Sequence, residues 1–190
     1  MKRIIIVLSV LLIALLCFSS CNNNVETDPT FIKLNELAQK EDNNYSLSIT
    51  IEDSNGHTTK NTFTVTEEEG NLSVYKKTET INKFEIVNGT VTSPDSYITE
   101  KEGYLTSTEL KYRDYTLPSF SFSSNSIESY YEVYSSLNGR IKSIEALAGY
   151  DIDATDARVK VVYTDEAISS ITITYVSAEG SHVTLEYTLN

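Results

Sequence analysis

Past a leading apolar run, hydrophobic and polar residues alternate along most of this chain. Tyr45, Leu47, Ile49 and Ile51 are separated by Ser46, Ser48 and Thr50, a period of two that predicts a strand with one buried face. Asn55-Gly56, a pair favoured in tight hairpins, comes next, and then Phe63 and Val65 alternate with Thr62, Thr64 and Thr66. Three closing runs repeat the pattern: Val159, Val161 and Tyr163; Ile171, Ile173 and Tyr175; Val183, Leu185, Tyr187 and Leu189. Thr172, Thr174, Thr184, Glu186 and Thr188 take the opposite face, which is the pattern of an antiparallel meander wet on one side. Glu69-Gly70, Asn88-Gly89, Glu102-Gly103 and Glu179-Gly180 read as further turns, at spacings too uneven for a repeat array.

Helical spacing interrupts this pattern in a few places. Asp28-Pro29 has the form of a capping residue followed by proline, and Phe31, Leu34, Leu37 and Ala38 share one face, predicting a helix over Pro29–Lys40. Ile127, Tyr130, Tyr131, Tyr134 and Leu137 form a second stripe, capped by Asn125 or Ser126 and stopped by Asn138-Gly139. A further short helix from Arg140 to Leu147, ended by Gly149, is an open alternative. The expectation is an α+β domain over residues 29–190. It has one N-terminal helix, about eight strands, one or two central helices and three closing strands. The strands form a large curved antiparallel sheet with helices on its apolar side.

The N-terminus reads as an address. Lys2 and Arg3 precede the apolar run Ile4–Phe18, which is shorter than the ~20 residues a membrane-spanning helix needs but suits the core of a signal peptide. Phe18-Ser19-Ser20-Cys21 resembles the lipobox of bacterial lipoprotein signal peptides. Leu is usual where Phe18 stands, and bulky Leu15 and Leu16 make Cys17 a poor competitor. The resemblance implies removal of residues 1–20 and a diacylglyceryl group on Cys21, with residues 21–28 as lipidated cysteine and short tether. It also implies a place in the cell envelope, anchored on the extracytoplasmic side of a bacterial membrane. An ordinary secreted protein and an uncleaved anchor are the plainer alternatives.

Composition narrows the functions. The chain of 190 residues holds 15 Lys+Arg against 27 Asp+Glu, and losing Lys2 and Arg3 leaves the mature protein still more acidic. Such a body repels phosphate, which excludes nucleic acid as a partner. Cys17 and Cys21 are the only cysteines, so the domain has no disulfide, thiolate-bound metal or thiol nucleophile. No nucleotide-binding, metalloprotease or serine-hydrolase motif occurs, and His57 and His182 read as exposed hairpin residues. Asp151-Ile152-Asp153-Ala154-Thr155-Asp156 has part of the acidic spacing of a calcium loop, but Asp156 stands where glycine is needed and Val162 where glutamate is. A solvated acidic turn is the better reading, and Glu67-Glu68-Glu69 is likewise a screened run at a hairpin tip. No enzyme activity and no cofactor are expected.

Thirteen tyrosines and no tryptophan are the remaining peculiarity, with Tyr112, Tyr115, Tyr130, Tyr131 and Tyr134 around the expected central helix. A tyrosine has an apolar body and a polar tip, which suits either the mouth of a hydrophobic cavity or an ordinary core reaching the surface. The order of elements over Pro29–Asn190 resembles the LolA/LolB-like family of periplasmic lipoprotein carriers and lipid-binding lipoproteins. That resemblance implies an incomplete β-barrel of about eleven strands closed by helices over a hydrophobic cavity, and no family motif carries it residue by residue. Two functions follow. One is a tethered, non-catalytic module holding an acyl chain or other apolar ligand, lined by Tyr130, Tyr131, Tyr134 and Leu137. The other is an envelope or surface module with a packed core that binds a protein. Cys21→Ala should abolish incorporation of labelled palmitate and release the protein from membranes, and unchanged labelling would sink the lipobox assignment.

Overall fold

A computed structural model describes residues 28–40, 42–82, 85–93 and 97–189. Cys21, the signal segment and the tether up to Thr27 lie outside the described residues. The first element is helix α1 (Pro29–Ala38). The Asp28 carboxylate accepts the Thr30 backbone N–H at 2.9 Å and Pro29 fills the first helical position, as the sequence predicts. Phe31, Leu34 and Leu37 point into the core.

Strands β1 (Tyr45–Glu52), β2 (Thr58–Glu68) and β3 (Asn71–Asn82) follow, then a separate small hairpin of β4 (Glu85–Val87) and β5 (Thr90–Ser93). After it come β6 (Tyr97–Tyr104), β7 (Ile127–Glu132), β8 (Ser136–Ile141), helix α2 (Ile144–Ala148), β9 (Ala154–Tyr163), β10 (Ile168–Ser177) and β11 (His182–Leu189). Nine strands form one antiparallel sheet in the order β6-β3-β2-β1-β11-β10-β9-β8-β7. The fold is α+β and dominated by this sheet, which is not closed.

The centre of the sheet is the pairing of the first strand with the last. Tyr45 faces Leu189 and Glu52 faces His182, with every residue between in register. That register puts Tyr45 and Leu47 on the same face as Val183, Leu185 and Tyr187, and Ile171, Ile173, Val159 and Val161 continue the buried rows across β10 and β9. A one-residue slip would turn all of these to water, so burial fixes the register. The alternation read from the sequence holds in all four of these strands.

Strands β6 and β7 are the two edges of the sheet, and residues 105–126 carry the chain from one edge to the other across the apolar face. This strap has only one short 3₁₀ turn (Glu109–Tyr112), and it buries Tyr115, Phe120 and Phe122. Its backbone is held from several sides. Asn35 on α1 accepts the Phe122 N–H at 2.8 Å and donates to the Phe122 carbonyl at 2.9 Å. Asn43 accepts the Leu117 N–H at 3.0 Å, and the Ser121 N–H reaches the Leu147 carbonyl at 2.8 Å. Among the described residues, the buried core runs from Phe31 to Tyr187 and forms one cluster.

The expected central helix is corrected: Ile127–Glu132 and Ser136–Ile141 form a hairpin, and Asn138-Gly139 lies within β8 instead of ending a helix. Tyrosines and Ile127 suit a pleated surface as well as a helical stripe. The turn that separates the strands is Tyr134-Ser135, closed by reciprocal bonds between the backbones of Val133 and Ser136. Both turn residues have positive φ, 48° and 61°, where Asn-Gly would be usual, so the turn has no sequence signature. Gly139 is needed for space, since a Cβ there would come within 2.8 Å of the Ile127 side chain. Glu102-Gly103 is corrected too: both residues pair with β3 inside the ladder. Of the short helix expected from Arg140 to Leu147 only the later part forms, as α2, capped by Ser143 and ended by Gly149 at φ 74°, while Arg140 and Ile141 belong to β8.

Exchanging Tyr134-Ser135 for Asn-Gly should therefore raise stability by about 1 kcal/mol, since each left-handed L residue costs about 1–2 kcal/mol and the added glycine returns part of that. The measurement is thermal unfolding, with a Tm rise of about 2–4 °C expected for a domain of this size. A lower Tm would show that the turn conformation carries no such cost.

A candidate apolar-ligand groove

Helix α1 lies over the end of the sheet that carries the β9–β10 turn, where Lys33 pairs with Asp165 and its ammonium sits 5.4 Å from the centre of the Tyr163 ring. The opposite end of the same apolar face lies towards the β10–β11 turn, with Ala148 at the end of α2 beside it. A cavity of about 950 Å³ occupies that end. Its floor is Leu47, Ile49 and Ile51 of β1, Val183, Leu185 and Tyr187 of β11, and Tyr175 of β10. Its roof is the strap around Arg113–Ser119 and the α2–β9 connection, including Tyr150 and Ile152.

Four phenols line the groove, alongside the hydroxyls of Thr116, Ser119, Ser177 and Ser181 and the charged Arg113, Asp114 and Glu179. The Tyr45 hydroxyl donates to the Tyr115 carbonyl at 2.7 Å, and the Tyr150 and Tyr187 hydroxyls lie 3.4 Å apart. Burial is the main cause that pushes the Tyr45 phenol up to about 12, and it also raises Tyr150, Tyr175 and Tyr187. All four therefore stay neutral at physiological pH. Among the described residues, Arg113 is the one cation lining the groove, and its guanidinium lies 5.2 Å from the Phe63 ring centre and 5.6 Å from that of Tyr115. Its charge slightly favours ionisation of Tyr45, Tyr150 and Tyr187. Beside it, Asp114 accepts the Thr116 N–H at 2.8 Å, which holds its carboxyl below the usual range, and Glu179 lines the far rim. The chemistry on offer is shape, apolar surface, neutral hydroxyls and three charged groups, Arg113, Asp114 and Glu179. It fits binding.

The residues singled out from the sequence as a lining are not brought together. Tyr130 faces inward, where it packs on Phe31 at 4.8 Å and donates its hydroxyl to Asp28. Leu137 is fully buried in the core, whereas Tyr131 is on the outer face and Tyr134 at the hairpin tip, both exposed. Tyr115 is in the core against Phe63, and Tyr112 is exposed. His57 follows the β1–β2 turn and His182 opens β11. Glu67 and Glu68 end β2, and Glu69 starts the β2–β3 turn. Asp156 lies at a bulge in β9 with φ 48° and pairs with Arg158. Among the described residues no group of three or more His, Cys, Asp or Glu side chains could hold a metal ion. Nor is any described helix long and apolar enough to cross a membrane.

The tyrosines that do line the groove had a signal. Tyr45, Tyr175 and Tyr187 occupy inward positions of alternating strands, which periodicity alone exposes. Arg113 and the strap had none, because an irregular crossing has no period. No protein-family model matches the sequence, and no curated protein matches it.

The phenols give the fold an alkaline limit. Below pH 10 the native and unfolded chains both keep the Tyr45 proton, and its contribution to stability is complete. Between pH 10 and about 12 the unfolded chain loses the proton first, so stability falls, by about 2–3 kcal/mol for a two-unit gap. Urea midpoints should be flat from neutral pH to about 9 and drop above 10. Tyr45→Phe should start lower by about 1 kcal/mol for the lost hydrogen bond and then fall less steeply. An equally steep decline would contradict this assignment.

Proposed function

We infer that the protein is a bacterial lipoprotein, anchored through Cys21 to the extracytoplasmic side of a membrane, whose domain holds an acyl chain or another apolar ligand without catalysis. The observation that carries this reading is the groove of about 950 Å³ on the apolar face, of the size and character of small-molecule sites. The open sheet with helices and a strap over one face supports the likeness to the incomplete barrels of the LolA/LolB-like carriers, at the level of architecture only. The difference is that nine strands, not eleven, share the sheet, with β4–β5 as a separate hairpin.

A second reading has its own observation. The outer face of the sheet has a shallow concavity of about 660 Å³ bordered by Tyr131, Arg140, Arg158, Lys160 and Thr172, which could seat part of a protein partner. Because the described core lies within Phe31–Tyr187, the chain from Val25 to Asn190 is a suitable soluble form for comparing the two. Purified from a bacterial host, it should carry a stoichiometric lipid or fatty acid in native mass spectrometry and bind the neutral dye N-phenyl-1-naphthylamine. Ile49→Trp, which fills the groove floor, should weaken dye binding at least about tenfold while the circular dichroism spectrum is unchanged. A clean apo mass with dye binding indifferent to Ile49→Trp would overturn the ligand reading in favour of the partner-binding face.

A further inference from the structure

The turn of the β7–β8 hairpin places a tyrosine where its backbone is strained and its side chain packs on nothing. Tyr134 has φ 48°, a rare state for a bulky L residue, and 99% of its surface is exposed. Val133 and Tyr131 beside it are 43% and 63% exposed. Turn geometry favours Asn or Gly at such a position, and no packing contact accounts for an aromatic ring there. Persistent backbone strain of this kind points to a role outside the fold's own stability.

The entry of the chain into the domain lies against the same hairpin. Asp28, where the described structure begins, accepts the hydroxyl of Tyr130, and Phe31 packs on the Tyr130 ring. The tether Asn22–Asp28 spans at most ~25 Å when extended. The tip at Tyr134 is four residues further along the hairpin than Tyr130, roughly 13 Å of strand. A lipid on Cys21 and the hairpin tip can therefore reach one bilayer surface together.

We propose that Tyr131, Val133 and Tyr134 sit in the headgroup–acyl boundary of the membrane that carries the anchor, as a second point of contact. This rests on the reading of Cys21 as lipidated. Tyrosine suits that depth, its ring in the acyl boundary and its hydroxyl among the headgroups. The charges around the tip define the lipid. Glu132 accepts the Tyr163 hydroxyl, Asp165 is paired with Lys33, and Glu166, Glu68 and Glu69 are exposed at the same end of the sheet. These acids disfavour an anionic surface, so the partner is a zwitterionic interface. Contact there turns the groove, at the other end of the sheet, away from the bilayer.

The chain has no tryptophan, so one introduced indole reports its own surroundings. The full-length protein, processed in its host, would be reconstituted in phosphatidylcholine vesicles with Tyr134→Trp or, as a control at the far end of β6, Ile98→Trp. The 134 indole should emit at shorter wavelength and be quenched several-fold less by aqueous acrylamide than the 98 indole. Vesicles rich in phosphatidylglycerol should reduce that protection. Equal quenching of the two indoles, in protein that floats with the vesicles, overturns the tip contact and leaves the anchor standing. Protein that does not float overturns the anchor and the tip contact together.

Discussion

An apolar sheet face must be covered, and the described residues have little helix with which to cover it. Nine strands about 4.8 Å apart make a surface roughly 38 Å wide, whereas a ten-residue helix is about 15 Å long and 10 Å across. Helix α1 therefore fills one end of the face with Phe31, Leu34 and Leu37, and α2 adds Ile144, Leu147 and Ala148. The rest falls to the strap, whose backbone joins no ladder and is held by a few bonds to neighbouring backbone, such as Ser121 to Leu147, and by side chains. Asn35 and Asn43 do this work for Phe122 and Leu117. The groove is the part of the face that these three covers leave unfilled.

This origin explains which parts of the molecule were legible in the sequence. Where burial repeats every second residue, as in β1 and β9–β11, facing follows from the alternation alone, whereas the pairing of β1 with β11 does not. Pro29–Ala38 was equally plain because cap, proline and apolar stripe all agree. The β7–β8 hairpin was misread because its five apolar residues satisfy a helical stripe, while its turn uses Tyr134-Ser135 in a backbone state that sequence signals assign to Asn and Gly. The site was half legible for the same reason. Its floor consists of periodic strand residues, but its roof is set by hydrogen bonds between residues far apart in sequence.

The pairing of β1 with β11 gives the molecule two ends with different properties. At one end lie α1, the β9–β10 and β2–β3 turns, the Tyr134 tip and the point where the tether enters. At the other lie the β1–β2 and β10–β11 turns and the groove between them. Strands of eight to ten residues separate the two by about 26–34 Å. A protein held at the first end presents the second to the aqueous compartment, within reach of a soluble donor or acceptor of ligand. If the first end is held at a membrane and the groove takes a ligand, as proposed, the geometry suits a receptor or relay for an apolar molecule better than extraction of lipid, because extraction needs the groove at the bilayer surface.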